Sequence, residues 1–305
     1  MRQDLKIENA SAGHTIALIT VVIWGVTFVS TKMLLDDFTP LEILVFRFSI
    51  GFVALSLLYP YLSKNRNIRL ELMFAGAGLC GVTLYFLFEN IALTYTLITN
   101  VAIIVSLAPF FTAMLSRIFL KDEKLDKMFF IGFAVAMVGV VLISFNGNVA
   151  FEVDLTGDLL SVFAALAWAF YMVFMRKIGE TEKNTVHNTR RAFFYGLLFM
   201  IPAMLFLPFE VDIGRFADSE NLFNILFLGL GASAMCFVSW NTALRVLGAA
   251  KTSVYIYLIP AVAIVFAALV LDETITIMAV CGAILTIAGL AISEKKVERT
   301  PHAEC

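Results

Sequence analysis

The chain has 305 residues, 60% of them apolar and 15% charged, with a formal charge of −2 and a mean hydropathy of +0.90. Soluble domains are nearer 45–50% apolar and about 25% charged, so this composition excludes an ordinary soluble fold. At about 20 apolar residues per transmembrane helix, the length holds ten spans with short loops and leaves no room for a soluble catalytic domain.

The polar residues 1–14 read as a cytoplasmic N-terminal segment. The first span, 15–35, carries Trp24 and Thr27 and has no small-residue cleavage site, so it reads as a retained helix rather than a signal peptide. The second, 40–62, carries Arg47; the third, 71–95, carries Glu89; the fourth, 97–119, carries Ser106 and Pro109. The fifth is 127–145, the sixth, 157–177, carries Trp168 and Tyr171, and the seventh is 189–209. The eighth, 222–245, carries Ser239, Trp240 and Asn241; the ninth, 250–271, carries Tyr255, Tyr257 and Pro260; the tenth is 275–293. Residues 294–305 form a polar, cytoplasmic tail. The apolar runs are continuous rather than alternating, which argues against strands.

Charge orients the spans. With the N-terminus inside, nineteen lysines and arginines fall on the inner side, and only Lys32 and Arg215 on the outer side. That bias is a strong positive-inside signal, and an even number of spans returns the C-terminus to the cytoplasm. An integral protein of the bacterial inner membrane follows as the expectation.

Arg47 and Glu89 lie deepest in apolar sequence, and a charge at a helix centre costs about 2.5–3.5 kcal/mol on insertion scales. Counted from Pro40 and Tyr95, they sit roughly 10 Å and 9 Å below the outer surface. An Arg47–Glu89 ion pair is therefore one expectation; a substrate or coupling-proton role for Glu89 is the other. Pro109 and Pro260 each remove a backbone hydrogen bond mid-span and leave the carbonyls of Val105 and Ile256 to find other partners, so both are expected at helix kinks. Trp24 and Trp168 lie away from the interfacial belts and need partners for their N–H groups. With Thr27, Ser106, Tyr171, Ser239, Trp240, Asn241, Tyr255 and Tyr257 they are candidates to line a polar, aromatic cavity; packing within the bundle is the alternative for each.

Gly132, Ala136 and Gly139, and again Gly282, Thr286 and Gly289, place small residues on one helix face, which reads as a packing seam. Glu123 and Glu273 precede the fifth and tenth spans and read as N-terminal caps. Cys80, Cys236, Cys281 and Cys305 show no metal or disulfide spacing. No H-E-x-x-H, G-x-S-x-G or Walker A pattern occurs, so neither an enzyme nor an ATP-driven pump is expected, and no cofactor or nucleic-acid partner.

The two halves match. Gly13, Trp24, Lys32 and Arg47 correspond to Gly157, Trp168, Arg176 and Arg191. Asn90-Ile91-Ala92-Leu93 and Pro109 correspond to Asn241-Thr242-Ala243-Leu244 and Pro260, and Glu123, Met128, Gly132 and Gly139 to Glu273, Met278, Gly282 and Gly289. A five-span unit repeated in tandem enters the membrane from opposite sides, giving two inverted repeats, 15–145 and 157–293, as in many secondary transporters. The order of these motifs resembles the drug/metabolite transporter superfamily in its ten-helix EamA branch. The resemblance implies an all-α bundle around a central cavity and the transport of small metabolites, often amino acids, commonly outward. A lipid-linked intermediate flippase and a non-transporting scaffold or regulatory subunit stay open as alternatives. The expected partners are a small-molecule substrate, membrane lipid and a coupling proton at Glu89; substrate identity and oligomeric state are not legible.

Overall fold

The computed structural model describes residues 2–61, 67–95, 98–120, 127–144, 154–271 and 276–294. The expected caps Glu123 and Glu273 and the tail beyond Glu294 lie outside the described residues. All regular structure among the described residues is helical. Helix α1 runs Arg2–Leu34, so the polar segment at 1–14 continues into the first apolar helix from Arg2 onward. Then come α2 (Pro40–Leu58), α3 (Ile68–Gly78), a π-helical stretch (Leu79–Leu84) and α4 (Tyr85–Tyr95). Helices α5 (Ile98–Val105) and α6 (Ala108–Phe119) flank a turn, and α7 is Lys127–Ser144.

The second half opens with α8 (Leu155–Thr181) and α9 (Thr185–Ala203). Helix α9 starts earlier than the apolar run because Asn184 caps it, its side chain accepting from the His187 N–H at 2.9 Å. It stops short of 209 just past Pro202, which cannot donate in the last turn. Next are α10 (Ser219–Leu226), a second π-helical stretch (Phe227–Met235), α11 (Cys236–Leu247) and α12 (Ala249–Ser253). A 3-10 turn (Val254–Tyr257) leads into α13 (Leu258–Leu271), and α14 is Ile277–Glu294.

Among the described residues five helices are long and apolar enough to cross a membrane: Ala10–Leu34, Pro40–Leu58, Ile68–Tyr95, Leu155–Thr181 and Ser219–Leu247. Four shorter apolar helices accompany them. The surface is inverted relative to a soluble protein: Leu57, Leu72, Phe206 and Leu269 are exposed, while Glu42, Arg47, Glu89 and Asn241 are buried. In lipid the apolar exterior costs nothing, and helices associate through close packing instead.

The seam between α7 and α14 shows how. A Cβ placed on Gly289 would stand 2.4 Å from the Ala136 nitrogen, and one on Gly139 would stand 2.5 Å from the Gly282 carbonyl oxygen. The small-residue faces legible in the sequence thus press backbone against backbone.

A polar network joins the α2 start to the 208–221 segment. Glu42 completes a capping box with Thr39, and its carboxylate also accepts from the Glu210 N–H at 2.8 Å and from both terminal nitrogens of Arg215 at 3.0 and 3.2 Å. Arg215 titrates above its ordinary value because Glu42 accepts its hydrogen bonds. Thr39 Oγ1 donates to the Pro208 carbonyl, and Asn221 donates to the Asp37 carboxylate at 2.8 Å. Glu42→Ala is expected to cost about 1.5–3 kcal/mol, the scale of hydrogen bonds to a charged group, and not the full penalty of a buried pair, because Arg215 keeps 21% of its side chain exposed. Thermal unfolding in detergent checks this; an unchanged midpoint would remove the network from the stability argument.

Candidate functional site

The protein's three tryptophans meet at its centre. Trp24 of α1 packs edge-on against Trp168 of α8 at 5.4 Å between centroids, and tilted against Trp240 of α11 at 4.9 Å. Phe237 completes the cluster, 5.7 Å from Trp24 and 5.9 Å from Trp168. The Trp24 N–H donates not to nearby Thr27 but to the Ala232 carbonyl in the second π-helical stretch, at 3.0 Å. Thr27 instead donates to the Trp24 carbonyl at 2.7 Å. The Trp168 N–H is buried and has no partner among the described residues.

Beside this cluster lies a cavity of about 620 Å³ of atom-free space, counting its solvent-open part. Its polar lining comprises Thr27, Thr31, Arg47, Tyr85, Glu89 and Asn90; Trp24, Phe86 and Trp168 supply aromatic walls. Five of the residues singled out in the sequence therefore come together: Trp24, Thr27, Arg47, Glu89 and Trp168. Tyr85, Phe86, Asn90 and Thr31 were missed, although a helical spacing from Glu89 and Thr27 reaches Tyr85, Phe86 and Thr31.

The expected Arg47–Glu89 ion pair is absent: among the described residues no Arg47–Glu89 contact falls within 4.0 Å. Each charge is held by something else. Tyr85 Oη donates to Glu89 Oε1 at 3.0 Å, one helical turn away. Arg47 donates from Nε to Ser233 Oγ at 3.0 Å, and its guanidinium lies 4.6 Å from the Phe86 centroid.

Several other candidates do not line this cavity, and each has another position. Tyr171 donates to Asn241 Oδ1 at 2.9 Å, and Asn241 donates to Thr189 Oγ1 at 3.0 Å, a chain that ties α8, α11 and α9 together. Trp240 points its N–H at the Met172 sulfur, 3.0 Å away. Tyr255 Oη lies 2.6 Å from His14 Nδ1. Tyr257 is fully buried and its hydroxyl has no partner among the described residues. Ser106 is buried in the α5–α6 turn and Ser239 is half-buried on α11. Sequence separates neither group, because polar and aromatic side chains satisfy each other across helices as readily as they face water.

The prolines also differ from the expectation of a mid-helix kink. Pro109 opens α6, and Pro260 lies in the first turn of α13. There a missing N–H leaves nothing unsatisfied. The chain breaks before each, at the 106–107 turn and the 254–257 3-10 turn. Val105 and Ala108 border the cavity beside the first break, Ile256 and Ile259 beside the second. The two π-helical stretches carry the partners of the two buried charges: Tyr85 follows the first directly, and Ser233 lies within the second. π-Helical turns occur often at functional sites because they displace side chains from the regular helix register.

The sequence matches the model of the EamA-like transporter family twice, over residues 11–145 and 155–294. An uncharacterized transporter of Archaeoglobus fulgidus is 29% identical, over 94% of this chain and 98% of its own. A probable amino-acid metabolite efflux pump of Escherichia coli K12 is 28% identical, over 91% and 93%. A probable terminal-alkyne amino-acid exporter of Streptantibioticus cattleyicolor is 27% identical, over 92% of each chain. A solved crystal structure shares the fold with a TM-score of 0.75 at 19% identity, covering 93% of this chain and 97% of its own.

Proposed function

The chain belongs to the EamA-like transporter family, and from that premise we propose that it is a secondary active exporter of a small metabolite, working by alternating access. The cavity beside the tryptophan cluster is its substrate site. The observation that carries this is that Arg47 and Glu89 line one cavity with no direct ion pair between them among the described residues, each held by another side chain. Ionisable residues inside the membrane often mark substrate or ion pathways. Glu89 is the candidate for a coupling proton or for a cationic group on the substrate.

The architecture proposed is ten spans in two inverted five-helix repeats, with both termini on the cytoplasmic side of a bacterial inner membrane. The double family match and the nineteen-to-two charge bias support it. The helix breaks before Pro109 and Pro260 are then equivalent flexible points on either side of the cavity. His14 with Tyr255, and Arg176 donating to the Arg245 carbonyl at 2.7 Å, would close the cytoplasmic end. Small solutes such as amino acids accord with the names of the two relatives, an amino-acid metabolite efflux pump and a terminal-alkyne amino-acid exporter.

A metabolite screen by thermal shift on the purified chain, followed by uptake of the hits into proteoliposomes, tests the reading. At least one amino acid or related solute is expected to raise the unfolding midpoint and to move saturably. Stabilisation with no movement of any hit in sealed vesicles would overturn transport in favour of a binding scaffold.

A further inference from the structure

Arg47 and its sequence counterpart Arg191 share one setting and differ in one respect. Each guanidinium lies over a phenylalanine, 4.6 Å from the Phe86 centroid and 4.4 Å from that of Phe74. Arg191 is ion-paired with Glu71, which also accepts from Tyr195 Oη at 2.7 Å. Arg47 has no carboxylate within ion-pair distance among the described residues: its hydrogen bond there is the one from Nε to Ser233 Oγ. Its two terminal nitrogens make no protein hydrogen bond among the described residues, and Arg47 lines the cavity. A desolvated guanidinium with its outer fork open is an incomplete ion pair, and leaving it so is expensive.

We infer that Arg47 is the subsite for a carboxylate on the transported solute, and that Ser233 is the positioning residue that aims it. The proposal rests on the transporter reading and adds the substrate's anionic group to it. Guanidinium and carboxylate match as two parallel N–H···O bonds. With Nε committed to Ser233, the remaining fork is the end-on pair of terminal nitrogens. Ser233 is fully buried, and its neighbour Ala232 takes the Trp24 N–H, so one π-helical stretch locates both a wall of the cavity and its cation. Arg47 is the sole basic residue lining the cavity among the described residues, and Glu89 lines it too. Arg47 supplies one guanidinium fork, enough for a single carboxylate, and with Glu89 beside it the lining has no surplus positive charge for a phosphate dianion. The aromatic walls, Trp24, Phe86 and Trp168, take the apolar body of the solute.

Four probes separate these groups on the purified full-length chain by calorimetry: 3-phenylpropionate, L-phenylalanine, phenethylamine and phenyl phosphate. The wild type is expected to bind the two carboxylates and to prefer 3-phenylpropionate to phenyl phosphate. Ser233→Ala is expected to weaken both carboxylates about ten-fold, the scale of one hydrogen bond to a charged group. It is expected to leave phenethylamine unchanged, and Ser233→Thr, which keeps the hydroxyl, to restore carboxylate binding. Arg47→Gln is expected to abolish the carboxylate preference. No carboxylate binding to the wild type, a preference for phenyl phosphate, or an equal loss for phenethylamine in Ser233→Ala would overturn the assignment. In proteoliposomes, a transported carboxylate whose KM is unmoved by Ser233→Ala would sink this inference and leave the exporter standing. Carboxylate binding without any transport would do the reverse.

Discussion

Glu89→Gln is expected to fold almost as the wild type does and to lose transport. The carboxylate's hydrogen bond is accepted from Tyr85 Oη at 3.0 Å, and a glutamine carbonyl accepts the same bond. No Arg47 partner is orphaned, since the two groups make no ion pair within 4.0 Å among the described residues. The stability change should therefore stay within about 1 kcal/mol, the size of one neutral hydrogen bond. What disappears is the charge, and with it either the coupling proton or the attraction for a cationic group. A charged hydrogen bond contributes about 1.5–3 kcal/mol, so transport should fall roughly ten- to a hundred-fold. If Glu89 carries the proton, residual transport in the variant should no longer respond to an imposed pH gradient. Proteoliposome flux with and without that gradient, next to a melting curve, checks both halves. Wild-type flux with wild-type pH dependence in Glu89→Gln would remove Glu89 from the mechanism. A large loss of stability would instead make it a structural residue.

Gly289→Leu is expected to give the largest stability loss of any single change considered. A Cβ there meets the Ala136 nitrogen at 2.4 Å and the Gly132 carbonyl oxygen at 2.6 Å, and backbone atoms cannot turn aside as a flexible side chain can. The helices must separate. That loses the packing along α7 and α14, for which the membrane offers no hydrophobic compensation. Overpacking costs about 1–3 kcal/mol in ordinary cores, and this contact belongs at or above the upper end. At about 2.1 cal/mol/K of unfolding entropy per residue, a loss of about 3 kcal/mol in a chain of 305 residues lowers the midpoint by roughly 5 °C. Gly179→Ala is the control: its added Cβ meets nothing nearer than Arg245 Cγ at 3.7 Å. Equal melting behaviour of the two variants would show that the seam does not limit stability.

The membrane class and the all-helical character were legible in the sequence, because they follow from the number and continuity of apolar residues. That signal is local and needs no partner. The packing seam was legible for a related reason: glycines spaced on one helix face have few uses in lipid other than close approach. Arg47, Glu89, Trp24 and Trp168 could be picked out because each is costly in an apolar run. Which of them touch could not. Arg47 and Glu89 lie at matching depth along their helices, but depth says nothing of rotation about the helix axis, and Ser233 and Tyr85 take the two groups instead. The two π-helical stretches were equally hidden, since one extra residue per turn leaves no mark on composition yet shifts every side chain after it. Asn90 and Asn241 occupy corresponding places in a repeated motif, yet Asn90 lines the cavity while Asn241 is closed between Tyr171 and Thr189. Sequence alone determined which residues are too polar to face lipid; only the tertiary structure decided which satisfy one another and which face the cavity, because that depends on helix rotation and on neighbours more than a hundred residues away.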